Sequence, residues 1–286
     1  MTKGTHGPGY ECNVPRGTVA GNNAIASPPF VIRNSSFIKR YLTAFLDLVY
    51  PRRCEICETP LATKRAAAAR WLCDECLDKV PRIEPPFCKV CGEPYEGAMT
   101  GAFQCGNCAE LKLHFEFAVS ACRARDAVRL MIHRFKYQRR LDLRGVLSSL
   151  LAEVLDDPRL GVLDRGAWTL VPVPLHHARE RERQYNQAWE LCREFSASSG
   201  FPALKALRRV RPTTAQASLS RHQRIENLRG AFAMERSVLK KNVLRGGNVL
   251  LVDDVLTTGS TTSECARILE REGGVEKVVV ITVARG

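Results

Sequence analysis

Val249-Leu-Leu-Val-Asp253-Asp254-Val-Leu-Thr257-Thr258-Gly259-Ser260-Thr261-Thr262 decides the fold. An apolar strand, Asn248–Val252, runs into two adjacent carboxylates. A short loop rich in hydroxyls, with one glycine, then opens a helix that continues through Arg271. Gly273-Gly274 stops the helix, and Lys277–Val283 reads as a last strand. Strand, helix, strand in this order makes a right-handed parallel unit. Parallel sheets bind ligands beyond the carboxyl ends of their strands, which is where the turn falls. The helix start offers unpaired N–H groups and the positive end of its dipole, both suited to a phosphate. Gly259 lets the backbone approach an anion, and the hydroxyls of Thr257, Thr258, Ser260 and Thr261 add donors. Asp253 and Asp254 suit sugar hydroxyls, or the waters around a hard cation such as Mg²⁺. Each piece alone has a plain use as a turn, an N-cap or a solvated strand end. Together they fit one ligand, a phosphorylated sugar.

Upstream, the same α/β character begins after Cys108. Phe117–Arg123 reads as a strand. Val128, Met131, Ile132 and Phe135 mark a helix with a basic outer face, and Leu143–Leu155 reads as another. Trp168–Pro174 is a buried-strand run. Residues 180–196 read as a helix with Ala188, Leu191, Cys192 and Phe195 inward. Residues 209–229 are basic and polar, the profile of a long mobile loop with a functional role. At the other end, residues 1–35 are rich in Gly, Pro, Asn and Ser and read as a disordered extension. Ile38, Leu42, Phe45, Leu46 and Val49 give an amphipathic helix over 36–51, stopped at Pro51.

Eight of the twelve cysteines fall in four C-x-x-C pairs: Cys54/Cys57, Cys73/Cys76, Cys88/Cys91 and Cys105/Cys108. Fifteen residues separate the first two pairs, the spacing of a zinc site, and thirteen the last two, which is slightly tighter. Each C-x-x-C turns two sulfurs to one ion, and two such turns complete a tetrahedral cage. A cage closed by four sulfurs leaves no open position, so the Zn²⁺, at one or two sites, is structural. The pairs can combine in order or interleave. Metal would supply much of the folding free energy of this 52–110 module, so its removal is expected to unfold 54–108 and spare the rest. Cys122, Cys192 and Cys265 stand alone and read as small buried hydrophobes.

The 286 residues carry 43 Lys+Arg against 30 Asp+Glu, a net charge of +13. That balance favours a polyanionic partner: nucleic acid, phosphorylated substrate or anionic membrane. Residues 123–144 hold eight cations against two acids, and 179–229 hold eleven against five. Such stripes bind phosphate backbones without reading sequence, and Phe135, Tyr137 and Tyr185 lie among them as bases for stacking. No apolar run is long enough to span a membrane. The first residues lack an apolar signal region, so the expected location is cytoplasmic, with peripheral membrane contact open to helix 36–51.

The 251–261 stretch, VDDVLTTGST within it, resembles the phosphoribosyl-pyrophosphate (PRPP) motif of type I phosphoribosyltransferases. Val171-Pro-Val-Pro-Leu175, Phe135-Lys136-Tyr137, Arg181-Glu-Arg-Gln-Tyr-Asn-Gln187, Leu219–Asn227 and Gly230-Ala-Phe232 look like the ComF family, which also carries cysteine pairs ahead of such a domain. The resemblance covers 37–286. One departure is Gln184-Tyr185, where the family usually has Gly-Phe.

The resemblance implies an α/β fold with a type I phosphoribosyltransferase-like parallel sheet flanked by helices over 115–286, behind a small zinc-ribbon module. Asp253 and Asp254 would then hold the ribose hydroxyls of PRPP and the Mg²⁺ waters and act as the catalytic acids. Thr257, Thr258, Gly259, Ser260 and Thr261 would cradle the 5-phosphate. Val173, Pro174 and Leu175 would meet the pyrophosphate, with Lys136 and Arg183 as further phosphate partners. Gln216, Arg221 and Arg224 would sit on a flexible lid. Family association points to DNA uptake in natural transformation, through single-stranded DNA and a competence helicase. The alternative is a true phosphoribosyltransferase that serves nucleotide or related metabolism and uses an unidentified acceptor.

Overall fold

A computed structural model describes residues 52–61, 71–97, 101–160, 163–212, 223 and 227–286. The extension 1–35, the helix expected over 36–51 and the Ala-rich insertion at 64–69 lie outside the described residues, as do Gln216, Arg221 and Arg224.

Two short helices sit in the cysteine module, α1 (Asp74–Asp78) and α2 (Gly106–Glu110). Then come β1 (Ala118–Arg123), α3 (Asp126–Tyr137), α4 (Arg144–Ala152), β2 (Trp168–Pro172), α5 (His177–Arg183) and α6 (Gln187–Ser199). The chain ends with β3 (Leu207–Arg209), β4 (Phe232–Met234), α7 (Arg236–Lys241), β5 (Asn248–Leu256), α8 (Ser260–Arg271) and β6 (Lys277–Arg285). The main sheet is parallel in the order β1-β6-β5-β2. Its central strands carry the unbroken apolar runs Val249–Val252 and Val278–Ile281, buried on both faces. One face packs Met131, Phe135, Leu147, Leu191 and Phe195 from α3, α4 and α6. The other packs Cys265, Ala266 and Leu269 of α8, with Leu207, Phe232 and Met234 of an antiparallel β3–β4 ribbon.

This division places the site. β2 and β5 are neighbours, yet the chain leaving β2 reaches α6 on the first face while the chain leaving β5 enters α8 on the second. Connections that diverge from adjacent parallel strands open a crevice at their carboxyl ends. Asp253 stands at that crevice.

Three local readings change. The strand expected to end at Val252 continues to Leu256, because Asp253, Val255 and Leu256 stay in register with Thr282, Ala284 and Arg285 of β6. The single helix expected over 180–196 is two, α5 and α6. Gln184 breaks it with a left-handed φ of 71°, and Asn186 caps α6 by accepting from the N–H groups of Ala188 (3.0 Å) and Trp189 (3.4 Å). A positive φ at Gln184 is a position that favours glycine. Third, the basic stretch 209–229 is closed at its stems by the three-residue strands β3 and β4, too short to show a period. Arg211 helps, donating to the carbonyls of Asn227 (2.8 Å) and Arg229 (3.0 Å). Of that stretch, 213–222 and 224–226 lie outside the described residues.

The described residues form one compact unit. The segment between the two cysteine cages covers the edge of β1: Ile83 N–H donates to Ala121 (3.1 Å) and Arg123 N–H to Pro81 (2.7 Å). Ala118 N–H donates to Val90 (2.7 Å). Cys54, Leu72 and Val80 join the same apolar core as α3 and α4. The sheet is therefore not indifferent to the cysteine module, as separate domains would be; the module caps an edge strand and fills core. Zinc-loaded protein is expected to unfold in urea as one transition. Fluorescence from Trp71 in the module, from Trp168 of β2 and from Trp189 of α6, separated by Trp→Phe variants, should share a midpoint. Two resolved midpoints would show independent domains.

Candidate functional site

Alternation along β5 sends its two acids to opposite faces. Asp254 follows Leu250 and Val252 onto the α3 face, where its carboxylate meets Lys136 Nζ at 2.8 Å. The pair is well covered, with side chains 22% (Lys136) and 6% (Asp254) exposed. Burial works against the Lys136 charge, but Asp254 and Asp253 more than offset it and its pKa is raised. Asp253 faces the other side, half-buried, and its Oδ1 accepts the Asp254 N–H at 2.9 Å. Burial pushes the Asp253 carboxyl up to about 7; the neighbouring Asp254 charge adds to this and Lys136 opposes it.

After Leu256 the chain turns through Thr257, exposed, and Thr258, half-buried. Gly259 caps α8 with φ 75°, a left-handed conformation that glycine adopts without strain. Ser263 N–H and the Thr262 hydroxyl both reach the Gly259 carbonyl, at 2.8 and 3.0 Å. The Thr258 and Ser260 hydroxyls lie 3.0 Å apart. Helix geometry leaves the N–H groups ahead of Ser263 without a carbonyl four residues back, and of these the Ser260 N–H donates to Thr258 Oγ1 at 3.4 Å.

The end of β2 lines the other wall. Val173 N–H donates to the Val252 carbonyl at 2.9 Å, which sets Val173, Pro174 and Leu175 beside the acid pair. Asn186 Nδ2 donates to the Val173 carbonyl (3.0 Å), so the cap of α6 also fixes this turn. The Tyr185 hydroxyl donates to the Phe135 carbonyl, and the Arg183 guanidinium lies 5.0 Å from the Tyr137 ring centroid. Arg183 also donates to Gln187 (3.0 Å), and its charge helps lower the Asp253 pKa.

The geometry brings together Asp253, Asp254, Lys136, Arg183, the Val173–Leu175 turn and the 257–261 turn. Of the three aromatics read as stacking bases, only Tyr137 is free to do so, at 61% exposed. Phe135 is a fully buried core residue and Tyr185 is half-buried against it. Sequence reading missed Arg209 of β3, whose charge interacts with that of Asp253 and whose pKa burial lowers. In sequence it is one cation in a basic run; only the ribbon turns it to the crevice. Among the described residues, no helix is long and apolar enough to cross a membrane.

The cysteines combine in order. Cys54, Cys57, Cys73 and Cys76 form one cluster and Cys88, Cys91, Cys105 and Cys108 another, with sulfurs in each within 4.8 Å of one another. A tetrahedral cage with Zn–S near 2.3 Å needs sulfurs about 3.8 Å apart. Cys57 and Cys73 lie at 3.5 Å and Cys91 and Cys105 at 3.7 Å, so both sets fit zinc. The second cluster is wholly buried, while Cys57 of the first is exposed. Cys122, Cys192 and Cys265 are buried apart from these, as read.

Residues 45–109 match the double zinc ribbon domain family. Competence protein F of Haemophilus influenzae (strain ATCC 51907 / DSM 11121 / KW20 / Rd) is 32% identical over 219 residues, 76% of this chain and 92% of that protein. DNA utilization protein YhgH of Escherichia coli O157:H7 is 33% identical over 232 residues, 79% of this chain and 94% of that one. Competence protein ComFC of Bacillus subtilis (strain 168) is 25% identical over 224 residues, 75% and 84% of the two chains. Among solved structures, the allosteric regulatory enzyme of purine biosynthesis superposes with a TM-score of 0.35 at 18% identity, covering 53% of this chain and 30% of that one. The molecule is thus a double zinc ribbon joined to a parallel α/β domain. With identity spread over nearly the whole of these relatives, the chain belongs to the ComF family.

Two outcomes follow from the acid pair. Lys136→Met strands a buried carboxylate and is expected to cost about 3–5 kcal/mol in urea unfolding. Adding Asp254→Asn should recover most of that loss, and a purely additive double variant would dissociate the two residues. Asp253 carries a raised pKa, so the folded state binds more protons than the unfolded between about pH 4 and pH 7 and loses stability as pH rises through that window. Asp253→Asn should accordingly stabilise the protein at pH 8 and change it little at pH 4. An equal effect at both pH values would contradict the shift.

Proposed function

We propose that this protein binds PRPP with Mg²⁺ in the crevice between β2 and β5, and that it serves DNA uptake in natural transformation by handling single-stranded DNA. One observation carries the first part: a half-buried carboxylate, Asp253, stands at a topological switch point between a hydroxyl-lined helix-start turn and the Val173–Leu175 turn. Thr257, Thr258, Gly259, Ser260 and Thr261 take the 5-phosphate through backbone N–H groups and hydroxyls. Asp253 takes the ribose hydroxyls and the waters of Mg²⁺, whose charge drives the proton off a carboxyl that burial holds near 7. Asp254 contributes through Lys136, which it anchors at 2.8 Å with its ammonium beside the phosphates. The pyrophosphate lies toward Val173, Pro174 and Leu175, with Arg183 near it, and Gln216, Arg221 and Arg224 close from the lid.

The second part rests on relatives named for competence and DNA utilization and on the cationic stripe of α3 and α5. Tyr137, exposed under Arg183, supplies a stacking face beside those cations. A competence helicase is the partner that would pass the strand to it. If the site also turns over, the bound sugar loses pyrophosphate at its anomeric carbon through an oxocarbenium-like state, and the residues above serve by position and charge.

Calorimetric titration of PRPP with and without Mg²⁺, on wild type and on Asp253→Asn/Asp254→Asn, tests this. Binding should need Mg²⁺, release protons at pH 7 and weaken by about tenfold or more, 1.4 kcal/mol, in the variant. Equal binding by both proteins would end the proposal. Retained single-strand binding by the variant, with a steep salt dependence, would place DNA on the cationic stripe outside the crevice. Pyrophosphate release with candidate acceptors would favour the transferase.

A further inference from the structure

Arg285, near the end of β6, is a buried cation whose contacts run in two directions. Toward the second cysteine cluster, its Nε donates to the Cys91 carbonyl (3.2 Å) and an Nη lies 3.8 Å from the Cys91 sulfur. It also pairs with Glu93. Toward the sheet, another Nη donates to the carbonyl of Leu256 at 3.1 Å. Leu256 is the last residue of β5, and Thr257 follows it. One guanidinium thus joins a metal-cage residue to the hinge of the 257–261 turn. A second tie runs parallel. The chain leaving Cys108 passes over the turn, where His114 N–H donates to Ser263 Oγ (3.1 Å). Phe115 there lies 3.6 Å from where a Cβ at Gly259 would stand.

We propose that Arg285 is a positioning residue through which the second zinc cage sets the conformation of the 257–261 turn. This rests on the reading of that turn as the phosphate cradle. The physical reason is contact: one buried side chain spans the two backbone carbonyls, of Cys91 in the cage and of Leu256 at the start of the turn. When the cage opens, the Cys91 backbone is no longer held, Arg285 loses its purchase there, and Leu256 loses a side-chain donor.

The first cage has a different duty. Glu55, between Cys54 and Cys57, accepts from Arg134 of α3 through its carbonyl (3.3 Å) and pairs with Arg140 at 2.8 Å. It thereby supports the helix that carries Lys136, not the turn. Its exposed Cys57 also gives a chelator the easier entry, since all four sulfurs of the second cage are buried. The two metals are therefore separable in order of removal.

The test is hydrogen exchange across residues 257–263, with zinc counted by native mass spectrometry during titration with EDTA under a phosphine reductant. No sugar ligand is added. The one-zinc form should exchange in the turn as the two-zinc form does. The zinc-free form should exchange about tenfold faster or more there, while β2 and α6 stay protected. Arg285→Met should show the fast exchange with both zincs bound, and chelation should then add little, the signature of coupling through that side chain. Opening on loss of the first zinc, no opening at all, or wild-type protection in Arg285→Met would each overturn the proposal. If Arg285→Met does not fold, the wild-type titration decides alone. A turn that responds to zinc in a protein that fails to bind PRPP would sink the ligand reading and leave this coupling standing.

Discussion

The ion pair between Lys136 and Asp254 is the constraint around which the crevice is organised. A carboxylate at the end of a central strand, with a side chain 6% exposed, is tolerable only if a cation meets it there. The cation comes from α3, so helix and strand are fixed to one another at their functional ends. Everything near the pair inherits that fixity. Tyr185 holds the Phe135 carbonyl next to Lys136, and Asn186, one residue on, holds both α6 and the carbonyl of Val173. One short chain segment, 185–187, thus ties three walls of the site together.

The double zinc ribbon is part of this frame. Its inter-cage segment pairs with β1, its first cage meets Arg134 of α3 and its second meets Arg285 of β6. A sheet of four parallel strands has two edges, and an open edge invites pairing with other chains. Covering β1 with a metal-held segment solves that problem while adding Cys54, Leu72 and Val80 to the core. These shared contacts set the arrangement apart from two beads on a string.

How much of this the residues disclosed follows from the range of the interactions. The parallel unit 248–283 was legible because β5, α8 and β6 are consecutive and their apolar runs are continuous. The cages were legible as sites from local C-x-x-C geometry, while their pairing, being non-local, was not. The break at Gln184 was visible only as a departure from an expected glycine, and its φ of 71° gives the reason. Phe135 and Tyr137 look equivalent two residues apart, yet on a helix they point to different faces, one into the core and one to solvent. Arg209 and Arg285 were hidden for another reason. Arg209 is one of several cations in a basic run and Arg285 has no charged neighbour in sequence; the meaning of each comes from strands distant in sequence, and no pattern of spacing marks it.

The two acids of β5 look alike in sequence, and the fold makes them unequal. Asp254 has its counter-charge built in. Asp253 does not, and its carboxyl is held near 7 by burial and by its neighbour. A fold optimised for stability alone would place a neutral side chain there, since Asn or Thr could accept the same N–H. Keeping a carboxylate that is costly to ionise makes sense when a ligand brings positive charge to it, because the unfavourable charge then becomes a favourable contact on binding. Sites of this kind sit where local stability and function disagree. On the function proposed above, the disagreement at Asp253, next to a turn that offers donors and no negative charge, suits a polyanion that arrives with its own cation.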